Sequence, residues 1–360
     1  MQYLKFTRLL IEWNKQQNKR LMPWKGEKEP YKVWLSEVIL QQTRVEQGWA
    51  YYEKFIKKYP TIKVLAKAKD EEVFKLWEGL GYYSRCKNLL HTARFIDKNY
   101  AGKFPSTYAE IEALKGIGPY TASAIASFCF NLPYAVLDGN VFRVLSRVFG
   151  ISTPVDSTEG KKQFKALADK VLDKSDPGGF NQAIMDFGAI VCKPALPACF
   201  MCNLNKICIA YKTASVNKLP VKQKILKKKQ RWFSYVIFEC GGKTLVRKRT
   251  QKDIWQNLFE FYLVESASDP VWDKKNIADF FQTQLGIKQY EVKFITSAEP
   301  QKLTHQHITG FFITVKLQTI PAVLKAMENL WLSDEEINNL PFPGFINQYF
   351  EKKNMQVGPF

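Results

Sequence analysis

Four cysteines crowded into one short stretch constrain this chain more than any other feature. They are Cys192, Cys199, Cys202 and Cys208, at intervals C-x6-C-x2-C-x5-C. Cysteines set this close can direct four thiolates at one inorganic centre. A four-iron, four-sulfur cluster needs one thiolate per iron, and the run supplies four. Zinc sites usually join two closely spaced ligand pairs across a longer loop, and only one close pair is present here. A four-cysteine zinc knuckle and a pair of disulfides stay open as alternatives. Cys86, Cys129 and Cys240 stand apart from the run and read as unpaired thiols. Seven cysteines, an odd number, do not suit a secreted disulfide framework, so a reducing compartment, the cytoplasm, is expected.

A chain of 360 residues is long for one core and implies two domains or three. Its net charge of +19 is spread along the chain and favours a polyanionic partner through long-range attraction and counterion release. Charge alone would also suit a ribosomal or membrane-surface protein. Lys5, Arg8, Glu12 and Lys15 interrupt any N-terminal signal peptide. No apolar run reaches the roughly 20 residues of a spanning helix, so no membrane partner is expected.

Residues 1–210 read as helix after helix, with apolar periods near 3.6 over 4–13, 33–55, 73–76, 85–96, 121–130 and 141–149. From 211 to 230 the chain turns polar and basic; with Arg231, the cations Lys222, Lys224, Lys227, Lys228 and Lys229 make a connector. It either follows a phosphate backbone or is a solvated linker. Beyond it, 232–239, 244–249, 258–264, 291–295 and 308–317 read as strands, and 271–285 and 333–340 as helices. The predicted fold is mainly α in the N-terminal half and α+β in a second domain, 231–360.

Three constellations carry chemistry. In Leu35–Val45 one helical face holds Leu35, Val38, Ile39, Gln42 and Val45, while Glu37, Leu40, Gln41 and Arg44 share another. The first face suits a core, and the second presents a carboxylate, an apolar wedge and polar groups to a partner. Taken alone, Glu37 reads as a solvated surface acid. In Leu114-Lys115-Gly116-Ile117-Gly118-Pro119-Tyr120, two glycines let the chain turn sharply into a helix whose free N–H groups suit phosphate. An ordinary corner between helices is the plainer reading. Asp138 and Asn140 precede an amphipathic helix, where either can cap it. For Asp138 a catalytic reading is preferred, because Glu37 needs a second carboxylate. Breaking an N-glycosidic bond puts positive charge on the sugar and negative charge on the departing base. One carboxyl then protonates the base while an ionised one steadies the sugar cation.

Together with the cysteine run, these motifs resemble the helix-hairpin-helix, iron-sulfur DNA glycosylase superfamily, and its MutY-type adenine DNA glycosylases over nearly the whole chain. The resemblance implies a six-helix subdomain at about 23–133, an iron-sulfur subdomain from 1–22 plus 134–210, and one four-iron, four-sulfur cluster. It implies Glu37 as general acid at adenine, with Arg20, Trp24, Leu40, Gln41 and Gln42 lining or wedging. In Gly79-Leu80-Gly81-Tyr82-Tyr83-Ser84-Arg85, Tyr82 becomes the intercalating wedge and Arg85 a phosphate contact. Tyr120 stands where bifunctional relatives carry a lysine; a phenol forms no Schiff base, so a water-using, monofunctional enzyme is implied. Gln182 falls where some relatives have Glu beside the adenine. Residues 231–360 resemble the Nudix-like domain that reads 8-oxoguanine, with Leu303-Thr304-His305 in place of Phe-Ser-His, so that Thr304 offers a hydroxyl and His305 a ring. No Nudix hydrolase motif is present, so pyrophosphate hydrolysis is not expected. The implied partner is double-stranded DNA holding A:8-oxoguanine or A:G pairs, met by a nucleoid-associated monomer, with Lys193 and Lys206 of the cysteine loop near phosphate. An endonuclease III-like pyrimidine glycosylase/lyase and a non-catalytic, redox-responsive DNA-binding protein are the rivals.

Overall fold

The computed structural model describes residues 2–223, 228–325 and 328–356. The chain divides into two compact units: Met1–Lys67 with Lys87–Ile225, and Ala68–Cys86 with Leu226–Phe360. In chain order the helices are α1 (Gln2–Gln16), α2 (Pro30–Leu40), α3 (Val45–Lys58), α4 (Ile62–Lys67), α5 (Asp70–Trp77) and α6 (Ser84–Tyr100). They continue with α7 (Tyr108–Glu112), α8 (Pro119–Phe130), α9 (Gly139–Phe149), α10 (Thr158–Val171), α11 (Pro177–Ile190) and α12 (Ile209–Lys212). None of the helices among the described residues is long and apolar enough to cross a membrane.

In the first unit, α2 is buried almost all round through Tyr31, Val33, Trp34, Leu35, Val38 and Ile39. It packs on α8, whose small residues Ala122, Ser123, Ala124 and Ala126 let the two backbones approach closely. A second core joins Phe6, Leu10 and Trp13 of α1 to Val144 and Leu145 of α9 and Phe187 of α11. The expected helical run over 33–55 is in fact two helices. α2 stops at Leu40, and Gln42 takes the left-handed φ of +58°. Gln41, Gln42 and Arg44 therefore do not share a helical face with their neighbours, and the seven-residue facing pattern fails past Leu40.

The second unit holds β1 (Lys229–Cys240), β2 (Lys243–Lys248), β3 (Phe259–Glu260), β4 (Tyr262–Ser266), β5 (Glu291–Ser297), β6 (Gln301–Lys302), β7 (Gln306–Lys316) and β8 (Leu330–Leu332). Its helices include α13 (Lys274–Ala278), α14 (Ala322–Lys325), α15 (Asp334–Asn338) and α16 (Gly344–Gln356). The main path of the sheet is β3-β2-β1-β7-β5, with β1 and β7 parallel from Lys229↔Gln306 to Glu239↔Lys316. Gly310 makes that pairing possible, since a Cβ there would lie 1.8 Å from the Phe233 carbonyl oxygen. Expected strand 258–264 is split at Phe261, and expected helix 271–285 is α13 followed by a π-helical turn over Asp279–Gln284.

Residues 68–86 depart from the expected continuous helical region 1–210, because they belong with the second unit. Within it, Lys75 Nζ donates to the Leu340 carbonyl at 3.0 Å, the Phe342 amide donates to Glu78 at 2.9 Å, and Lys248 pairs with Glu71 at 2.7 Å. The expected connector 211–230 also differs. Leu219 is buried in the first unit's core, Arg147 Nε donates to its carbonyl at 3.1 Å, and the Val155 amide donates to the Val221 carbonyl at 3.0 Å. Lys229 and Arg231 already lie in β1, and Arg231 is turned inward to Asp253 and Glu265 at 2.8 and 2.7 Å, so it is not a phosphate-tracking cation. Lys222 and Lys228 are exposed, whereas Lys224 and Lys227 lie outside the described residues.

Candidate active site

A pocket of about 640 Å3 opens in the first unit, within the range of small-molecule sites. Its wall includes Arg20, Trp24, Glu37, Leu40, Gln41, Gln42, Tyr120, Asp138, Asn140 and Gln182. Residues more than a hundred positions apart in the chain thus converge on one cavity.

Glu37 comes from the buried turn of α2 and is only 6% exposed, so it is not the solvated surface acid that its helix position alone suggests. Burial pushes its carboxyl up to about 7; the Tyr120 phenol hydrogen bond pulls the other way, and the charge of Asp138 adds to the rise. At neutral pH a large fraction therefore carries the proton that a general acid needs. Tyr120, in the first turn of α8, is held neutral by burial and by the nearby Glu37 and Asp138 charges, so its phenol stays a donor. Its hydroxyl donates to Met185 Sδ at 4.0 Å and also lies near enough to the Glu37 carboxyl to lower that group's pKa.

Asp138 is both the N-cap of α9 and part of the pocket wall. Its carboxylate accepts from the Val141 amide at 2.7 Å and from Asn140 Nδ2 at 2.7 Å. Burial raises its pKa, while these bonds to the ionised form and the charge of Arg143 oppose the rise. Asn140 is not the cap. It sits inside α9, and its side-chain oxygen accepts from Arg143 Nη2 at 2.8 Å.

Arg143 and Arg147, one turn apart on α9, escaped the sequence reading. Arg143 donates to the carbonyls of Cys192 (2.7 Å) and Gly188 (2.6 Å). Arg147 donates to the carbonyls of Lys193 (2.7 Å) and Pro194 (3.1 Å) and reaches Cys192 Sγ at 3.5 Å. One helix thus carries Asp138 at its start and ties down the cysteine loop along its length. Cys192, Cys199, Cys202 and Cys208 line a single small cavity. No group of three or more His, Cys, Asp or Glu among the described residues is arranged to hold a lone metal ion. Four thiols around one cavity are the donor set that a four-iron, four-sulfur cluster needs, one thiolate per iron. The Leu204 amide points at Cys202 Sγ at 3.4 Å, a hydrogen bond of the kind that tunes a cluster thiolate.

The hairpin turn runs from α7 to α8, with Leu114 and Ile117 buried beneath it. Only Gly116 needs to be glycine for the fold: its φ is +83°, and a Cβ would lie 2.6 Å from Asn88 Cβ. Gly118 has an ordinary φ of −98° and open space where a Cβ would be. The sharp turn is therefore the work of Gly116, while Gly118 leaves its helix N-terminus uncovered.

In the second unit, Tyr82 is 42% exposed in a left-handed conformation, and its hydroxyl hydrogen-bonds that of Thr304. Thr304 and the exposed His305 form the turn between β6 and β7, where the His305 carbonyl accepts from the Lys229 amide at 2.9 Å. Arg85 corrects the expectation of a phosphate contact. It is buried, stacks its guanidinium over the rings of Tyr82 and Trp77, and donates to the Leu80 and Gly81 carbonyls at 3.2 Å each. It braces the Tyr82 loop from inside.

The sequence reading missed Asp186 altogether. This residue of α11 has no exposed surface and accepts from Asn18, Arg20, Lys25 and Gln182. An Asp in an apolar helix leaves no periodic signal, and its partners are more than 160 positions away except for Gln182, one turn back; that i, i+4 polar pair was the one visible hint.

Residues 35–172 match the HhH-GPD superfamily of base excision DNA repair proteins, and residues 234–352 match the NUDIX domain. Over 292 residues the chain is 36% identical to the adenine DNA glycosylase of Buchnera aphidicola subsp. Schizaphis graminum, covering 80% of this chain and 84% of the relative. It is 42% identical over 214 residues to the adenine DNA glycosylase of Homo sapiens, covering 57% of this chain and 39% of that one. Among solved structures, a thermostable thymine-DNA glycosylase is 28% identical with a TM-score of 0.55, over 59% of this chain and 97% of that chain. Endonuclease III in a non-covalent DNA complex shares the fold, at 20% identity and a TM-score of 0.51, over 58% of this chain and 95% of that one. With a helix-hairpin-helix unit that brings Glu37 and Asp138 to one pocket, a Nudix-like unit beside it in the chain, and relatives of this similarity over this length, the chain belongs to the adenine DNA glycosylase family of base excision repair.

Proposed function

We propose that the chain removes adenine paired with 8-oxoguanine, and more weakly adenine opposite guanine, from double-stranded DNA by hydrolysing the N-glycosidic bond. The observation that carries this reading is the Glu37 carboxyl: buried, raised to about 7, and facing the same pocket as Asp138. The adenine is flipped out of the stack into the pocket, as base-modifying enzymes require. Glu37 then donates its proton to the base, at N7. The glycosidic electron pair leaves with the adenine, and Asp138 steadies the resulting sugar cation. Water adds to that cation, its proton is lost, and an abasic site remains. Trp24, Leu40, Gln41 and Gln42 enclose the base. Tyr120 keeps Glu37 in place and, being a phenol, offers no amine for a Schiff base, which disfavours the lyase alternative.

The exposed N-terminus of α8 at Gly118 and the exposed Lys193 and Lys206 suit DNA phosphates. Tyr82 enters the stack, and Thr304 with His305 reads the edge of the oxidised base; their closeness within one unit supports a shared target. Cys192, Cys199, Cys202 and Cys208 would hold one four-iron, four-sulfur cluster, which when bound fixes the loop that Arg143 and Arg147 grip. We read the protein as a working monomer, and a chromosomal substrate puts it at the nucleoid in the cytoplasm.

The test is single-turnover excision across A:8-oxoguanine, A:G, A:C and thymine-glycol duplexes, with Glu37→Gln alongside the unmodified protein. Adenine opposite 8-oxoguanine should react fastest, and Glu37→Gln should lose about 10²–10⁴-fold in rate while still binding the lesion duplex. Full activity in Glu37→Gln would remove the mechanism. A borohydride-trapped covalent adduct would restore the lyase alternative.

A further inference from the structure

Asp186 does more than fill a buried site. Its Oδ1 accepts from Arg20 Nη1 at 2.8 Å and Gln182 Nε2 at 3.1 Å; its Oδ2 accepts from Asn18 Nδ2 at 2.9 Å and Lys25 Nζ at 3.0 Å. Three of these donors, Arg20, Lys25 and Gln182, also line the pocket. An ionised carboxylate only accepts hydrogen bonds, so Gln182 must turn its NH2 toward Asp186. The usual freedom of an amide to exchange its two ends is thereby removed. The Gln182 carbonyl oxygen accepts no hydrogen bond among the described residues, yet it is not one of the sealed, unsatisfied atoms. It is left as an accessible acceptor on a pocket-lining side chain.

We propose that Asp186 is a specificity-determining positioning residue: by holding the Gln182 amide NH2-inward, it makes the pocket offer an acceptor to the 6-substituent of a purine. An exocyclic amine donates to that acceptor, whereas a 6-oxo group repels it. Adenine is thereby favoured over hypoxanthine, which differs at this position. A site built around one such hydrogen bond rejects the mismatched analogue because its own polar group is left unpaired. In Asp186→Asn the side chain can both donate and accept, so Gln182 becomes free to turn over.

This inference rests on the base-excision reading of the pocket. Single-turnover excision of adenine and of hypoxanthine, each opposite 8-oxoguanine in otherwise identical duplexes, tests it on the full chain. The unmodified protein should favour adenine. Asp186→Asn should lower the adenine-to-hypoxanthine ratio about tenfold or more, with the alkaline fall in rate staying at the same pH. Equal slowing of both bases, or no slowing, in a variant with a normal melt would overturn the proposal. If Asp186→Asn does not fold, Gln182→Met leaves the carboxylate three donors and carries the test: a lowered ratio supports the proposal, and an unchanged ratio sinks it. An unmodified protein inactive on both duplexes would overturn the excision reading itself, and the inference with it.

Discussion

Glu37 on α2 lines the pocket and Asp186 on α11 lies buried behind three residues that line it, and their surroundings are opposite. Glu37 has the phenol of Tyr120 as its hydrogen-bonding partner and the charge of Asp138 nearby, and its proton is held to about 7. Asp186 has four donors, two of them the cations of Arg20 and Lys25. The difference teaches that depth alone does not decide what a buried acid is for. A carboxyl left nearly unsupported keeps a proton to give away. One surrounded by donors fixes the side chains around it.

The largest expected effect is a difference of sign. Asp186→Leu leaves two cations without their counterion, and the loss of one member of a buried pair costs about 3–5 kcal/mol. Arg20 and Lys25 are about a quarter exposed and can turn partly to water, so roughly 3 kcal/mol is expected from urea titration at pH 8. Glu37→Leu at the same pH should leave stability unchanged or raise it, because the charged form is the one that burial penalises. Destabilisation of equal size by both substitutions would erase the contrast.

A smaller effect follows from pH. The folded-state pKa of Glu37 lies above its unfolded value of about 4.3, so its contribution to stability is complete below that value and is lost as pH rises through about 7. Between those limits it amounts to at most roughly 4 kcal/mol, at about 1.36 kcal/mol per pH unit. The stability of the parent protein minus that of Glu37→Leu, measured by melts from pH 4 to 8, should fall over this window. The excision rate of the parent should fall through the same pH, since the acid is then ionised. A flat difference curve would mean that the carboxyl is not protonated in the folded chain.

The smallest effect belongs to Tyr120→Phe. Removing the phenol takes away the hydrogen bond that lowers the Glu37 pKa, so the alkaline limb of the pH–rate profile should move upward, by about one unit or less. A downward shift would show that the phenol does not support the ionised form.

Much of this site was legible because its chemistry is local in the chain. The cysteine spacing, the Gly-x-Gly turn, Asp138 ahead of its helix and the phenol at 120 each announce themselves within one short stretch, the cysteines over residues 192–208. Glu37 was legible as a position but not as an environment; its helix face suggested exposure, and the packing of α2 against α8 buried it. Arg231 misled for the reverse reason, since a cation in a polar stretch looks solvated until its partners are known; Arg85, expected at phosphate from the family resemblance of its loop, is held inward by that loop's own carbonyls. The break after Leu40 was hidden because Gln41, Gln42 and Thr43 carry no Gly or Pro to mark it.

The order of motifs, the basic charge, the change from helical to strand periodicity and the absence of an amine at 120 were determined by the sequence itself, because each depends on residues close together in the chain or on simple totals. Tertiary structure alone decided that Glu37 keeps its proton, that Asp186 gathers four donors, that Arg143 and Arg147 join Asp138's helix to the cysteine loop, and that residues 68–86 belong with the second unit. All four depend on desolvation and hydrogen bonding between groups distant in sequence. Those energies exist only once water has been excluded from between them.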